Sequence, residues 1–166
     1  MGVDISMYIV KDKKDISNTS SSWGIFDGRN SIWFNNLQQI GDNEIYNYLN
    51  IKPGISKQAP DDFSKYKNLD YYGFNYISVK DFKDWFIKYR PDIDAGWIST
   101  YDKWRMEKKG YEPDYLPKYL DKDDDINDMH FVEYETIWDD CSIWLYNYLI
   151  DNKVPDEADI TYWFDC

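Results

Sequence analysis

The first ten residues, MGVDISMYIV (1–10), point to the architecture. Val3, Ile5, Met7 and Ile9 share one face while Asp4, Ser6 and Tyr8 share the other, the two-residue period of a strand. The far end, ADITYWFDC (158–166), alternates in the same way through Ala158, Ile160, Tyr162 and Phe164. Two such segments at opposite termini predict a first and a last strand that pair and tie both ends down.

Working inward, KDKKDISNTSSS (11–22) reads as a polar hairpin or loop, and WGIF (23–26) as a second strand closed by Asp27-Gly28. Asn30 or Ser31 then caps a helix carrying Trp33, Leu37 and Ile40 and stopped at Gly41, and Asp42 caps a short one with Ile45, Tyr46 and Leu49. Residues 51–76, broken by Pro53, Gly54, Pro60 and Gly73, predict an irregular excursion of the functional or mobile kind.

Ser78 and Asp81 form an N-cap pair ahead of Val79, Phe82, Phe86 and Tyr89 at helical spacing. The spacing of Trp97, Tyr101 and Trp104 predicts another helix from Asp94 to Lys109, stopped by Gly110. Residues 111–128 read as an acidic loop and MHFVEY (129–134) as a strand. Ile137, Cys141, Trp144, Leu145, Tyr148 and Leu149 lie on one face of a last helix. The resulting fold class is α+β: a small, mostly antiparallel sheet with its N- and C-terminal strands paired, covered by three to five helices.

A length of 166 residues predicts one domain over 1–166. Aromatics are abundant, with eight Trp, 16 Tyr and eight Phe, so disorder is excluded despite the polar average. The formal charge of −12 repels nucleic acid and anionic membranes and favours partners with a basic surface. Without an apolar leader or an apolar run of about 18 residues, neither secretion nor membrane insertion is predicted. Cys141 and Cys166 then read as reduced thiols of a cytoplasmic protein.

Chemistry-bearing patterns are sparse. Asp27, Gly28, Arg29 and Asn30 precede a helix start, where exposed N–H groups and an arginine fork suit an anionic ligand, with Asp4 beside them. The other reading makes Arg29 a staple that holds the strand-to-helix corner against nearby acids. No glycine-rich phosphate loop occurs. From Asp123 the spacing of Asp125 and Asn127 resembles an EF-hand, but Asp128 replaces the required Gly and Tyr134 the required Glu, so a solvated loop is expected over 121–128. His130 is the only histidine, which excludes multi-histidine metal centres. No catalytic residue, metal or cofactor is therefore assigned. Segments such as LDYYGFNY (69–76), YEPDYLPKYLDKDDD (111–125) and DITYWFD (159–165) set rings among carboxylates. Such surfaces meet Lys- and Arg-rich partners; the alternative is half-buried tyrosines with acids facing water.

Met1-Gly2-Val3-Asp4-Ile5-Ser6, the Phe26-to-Asn30 turn and the terminal Tyr162-Trp163-Phe164-Asp165 resemble a family of short phage and bacterial proteins. Those proteins open Met-Gly-Cys-Asp-Ile-His, carry an Asp-Gly-Arg-Asn turn before a Phe-containing helix, and often end on an aromatic strand. Gly73 to Ser78 with Asp81-Phe82 is a fainter match, to a histidine-rich segment before a helix. Residues 92–155 have no counterpart. Val3 stands for the Cys, Ser6 for the His, and Phe74 and Asn75 where histidines are expected, so a metal site built on those groups has no ligands here. The resemblance implies phage or prophage origin and brings no activity with it. Charge, rings and resemblance together predict an accessory protein that acts by binding, such as an inhibitor of a host nucleic-acid-processing or defence protein. The alternative is a binder of, or enzyme for, a small anionic ligand or nucleotide at the Arg29 corner.

Overall fold

The computed structural model describes residues 4–19, 24–28, 31–39, 44–69, 71–111, 113, 116–135 and 140–165. Strands β1 (Asp4–Lys11) and β8 (Asp159–Asp165) pair antiparallel in continuous register, from Asp4 opposite Asp165 to Val10 opposite Asp159. The predicted union of the two ends is therefore the centre of the sheet. On one side β1 takes β2 (Lys14–Asp15) through a two-residue turn at Asp12 and Lys13, both with positive φ, and β3 (Phe26–Gly28) further along. On the other side β8 pairs with β5 (Tyr72–Ser78), which pairs with the short β4 (Lys52–Pro53). The order is β2-β1-β8-β5-β4, with every strand pair antiparallel.

Both faces of this sheet are covered. One presents Ile5, Met7, Ile9, Ile160, Tyr162 and Phe164 to three helices. These are α1 (Ser31–Leu37), which contributes Trp33 and Leu37; α2 (Val79–Tyr89), with Phe82, Trp85 and Phe86; and α4 (Asp140–Asp151), with Leu145 and Leu149. The cap of α2 is as predicted: the Asp81 N–H donates to Ser78 Oγ at 3.0 Å, and left-handed Arg90 ends the helix before Pro91. Trp144 is an edge residue, its ring 5.7 Å from Phe26 and 5.5 Å from Tyr148. The second short helix is a 3-10 turn, Glu44–Tyr48. Val3, Ile40, Gly41, Asp42 and Ile137 lie outside the described residues.

The opposite face corrects the polar reading of Tyr8. Tyr8, Val10 and Trp163 are buried there beneath Ala59, Phe63, Tyr66, Tyr71 and Phe74. Trp163 stacks between neighbours, 5.0 Å from Tyr8 and 4.7 Å from Tyr66. The cover is residues 51–76, including a 3-10 run at Asp61–Asn68, so the predicted irregular excursion is the lid of a second core. The prolines and glycine that read as loop signals let the chain turn across the sheet, and the rings make the contact.

Contacts divide the chain into two compact units: Met1–Arg90 with Cys141–Cys166, which holds this sheet, and Pro91–Asp140. In the smaller unit β6 (Ile93–Ser99) and β7 (Met129–Glu135) pair antiparallel from Ile93 opposite Glu135 to Ser99 opposite Met129. The helix predicted from Asp94 begins only at Thr100, giving α3 (Thr100–Lys109). Ser99 is its cap, accepting the Asp102 N–H at 3.1 Å, and left-handed Gly110 is its stop. Gly96 explains the correction. A Cβ there would stand 2.6 Å from Leu116 Cβ, and the adjacent Trp97 N–H donates to Pro117 O at 2.8 Å. That close approach fits an extended strand, whereas glycine inside a helix costs about 1 kcal/mol. Apart from its turns, 111–128 carries no helix or strand among the described residues, as predicted.

Candidate interaction surface

Of the predicted corner, the backbone of Asp27 and Gly28 lies in β3 opposite Ser6 and Ile5. Half-buried Asp4 stands one residue before that pairing. Arg29 and Asn30, on which the anion site rests, lie outside the described residues. Within the same unit a groove of about 390 Å3 is walled by Gln38, Gln39, Tyr72 and Asn75. No cation lines it among the described residues, so it offers an anion no opposite charge. His130 Nε2 lies 2.8 Å from the Thr100 hydroxyl, and Cys141 is buried on α4. Among the described residues no group of three His, Cys, Asp or Glu side chains could hold a metal ion.

The three ring-and-acid segments separate once folded. DITYWFD is core, with Tyr162, Trp163 and Phe164 all buried. In LDYYGFNY, Tyr71 and Phe74 pack on the second face. The stretch that begins at Tyr111 leaves Tyr119 86% exposed, followed by Ile126 at 66% and, on β7, Phe131 at 53%. There large apolar groups stand in solvent close in sequence to Asp121, Asp123, Asp124, Asp125 and Asp128.

The charge divides as sharply. Residues 91–140 hold 15 acidic and six basic side chains, a formal −9 in 50 residues, leaving −3 for the larger unit. All of that excess follows α3: residues 111–140 carry 11 acids against Lys118 and Lys122. Lys118 is engaged internally, donating to Asp94 Oδ1 at 3.0 Å. The loop holds its own shape through its carboxylates. The Asp121 N–H donates to Asp124 Oδ2 at 2.8 Å, and the Asn127 N–H to Asp125 Oδ1 at 3.0 Å. At its end Asp128 O accepts from the Thr100 N–H at 2.8 Å, fixing the loop to the start of α3. Glu133 and Glu135 continue the anionic, exposed side of β7 beside Phe131.

Within the same unit a cavity of about 350 Å3 opens between β6, the first turn of α3, and Tyr111, Pro113 and Pro117. Trp97, Asp102, Tyr111 and Met129 line it, with Pro113 and Pro117. Arg105 lies over the Tyr111 ring at 3.8 Å, its Nη1 3.4 Å from Asp102 Oδ1. Sequence reading misses this cavity because it treats 94–99 as helix, which turns Trp97 away from the Ser99 cap. One signal was available: Ile98-Ser99-x-x-Asp102 repeats Ile77-Ser78-x-x-Asp81, the strand-to-helix junction that opens α2.

Comparison with protein-family models, with curated proteins and with solved structures returns no match. Among the described residues no helix is long and apolar enough to cross a membrane.

Proposed function

We propose that this protein acts by binding, as a phage-type accessory protein of the host cytosol whose small anionic unit docks on a basic protein surface. The partner class this suits is a nucleic-acid-processing or defence protein, whose groove is built to take a polyanion. The observation that carries the reading is the −9 concentrated in residues 91–140 around exposed Tyr119, Ile126 and Phe131. Charge of one sign concentrated on a surface raises association rates by about 10- to 1,000-fold, and apolar rings within it supply contact once water is excluded.

Capture from host lysate tests this when the parent is compared with Asp123→Asn/Asp124→Asn/Asp125→Asn. Asparagine keeps an acceptor oxygen for the loop's own N–H groups while removing three charges. Basic proteins retained by the parent at low salt and lost by the variant are the expected result. Equal retention by both, or no basic protein retained, contradicts the proposal.

A further inference from the structure

We propose, resting on that reading, that the cavity beside α3 takes one cationic side chain of the basic partner, an arginine in the first place. Its lining has two parts with different chemistry. Pro113, Pro117 and Met129 give an apolar wall for a methylene stem, while Trp97 and Tyr111 offer rings and Asp102 a carboxylate for the charged head. Rings and a carboxylate together are what a guanidinium needs, since it stacks by its face and hydrogen-bonds by its edge.

The chain already demonstrates the preference with its own residue. Arg105 lies over Tyr111 at 3.8 Å with Nη1 3.4 Å from Asp102 Oδ1. Arg105 and Asp102 are each more than a third exposed, so this pair is a weak one. Among the described residues, Asp102 Oδ2 accepts the Ser99 hydroxyl alone, at 3.1 Å, which leaves it a lone pair for an incoming donor. At about 350 Å3 the space is ample for an arginine side chain. The acids of residues 121–135 attract the partner over a distance; this cavity sets which side chain enters.

The test is titration of the full chain with a hexa-arginine peptide, with a hexa-citrulline peptide as the neutral isostere, following the Trp97 indole N–H by NMR. Asp102→Asn removes the charge while keeping both capping contacts: Ser99 Oγ still accepts the backbone N–H of residue 102, and the asparagine oxygen can still accept the Ser99 hydroxyl. Expected are a shift of the Trp97 signal by hexa-arginine alone, about tenfold weaker binding for Asp102→Asn, and about threefold weaker for Tyr111→Leu. Asp123→Asn/Asp124→Asn/Asp125→Asn should weaken binding yet give the same Trp97 shift at saturation. If hexa-arginine binds in a salt-dependent way while Trp97 stays unmoved and Asp102→Asn matches the parent, the cavity assignment is overturned and charge-driven docking survives. No binding to the parent at low salt overturns both.

Discussion

Trp163 shows how one residue reports on the whole design. It sits on the last strand, faces away from the helices, and is nearly inaccessible among Tyr8, Phe63, Tyr66 and Phe74. Trp163→Ala should cost about 3–5 kcal/mol in urea unfolding, as for other large buried aromatics; a loss under 1 kcal/mol would mean the second core contributes little. Two buried tyrosines add a pH signature. The hydroxyl of Tyr162 is raised above the usual tyrosine range by burial, and that of Tyr8 by burial and then by Tyr66. Their folded pKa values exceed the unfolded one near 10, so the stability they supply is complete below pH 10 and is lost as pH rises beyond it. Each contributes a fall of about 1.4 kcal/mol per pH unit there. Tyr162→Phe should therefore flatten the alkaline limb of stability measured at stepped pH. A limb as steep as the parent's would contradict the burial argument.

Among the elements, those whose pattern matched their environment were legible. β1, α2 and β8 carry apolar residues at the period of the structure they adopt, and Ser78 marks the start of α2 through chemistry that the fold retains. β6 was not legible because Trp97, Tyr101 and Trp104 mimic a helical stripe although a strand–helix junction separates them. The second face was hidden for a different reason. Tyr8 and Trp163 look polar-side by alternation, and only the tertiary return of residues 51–76 buries them. The Arg29 corner, which drew most attention in sequence, has its decisive residues outside the described ones. The cap of α3 can be tested by itself. Ser99→Ala removes the acceptor of the Asp102 N–H and costs about 1 kcal/mol. Because α3 buries none of its own side chains, that loss should appear as faster amide exchange confined to α3. Unchanged exchange in α3 would contradict the capping role of Ser99.

For the molecule as a whole, composition gave the sign of the charge and folding gave its location. A net −12 spread evenly would describe an ordinary acidic protein; here −9 falls within the 50 residues of the smaller unit. The most direct measurement is the association rate with hexa-arginine at low and moderate salt for three proteins: the parent, Asp123→Asn/Asp124→Asn/Asp125→Asn, and Asp61→Asn/Asp62→Asn/Asp84→Asn. Both variants lose three charges, but the second loses them from exposed ion pairs of the larger unit. The first variant alone should slow association, by about tenfold at low salt and less when screened. Equal slowing by the two variants, or none by either, would contradict it.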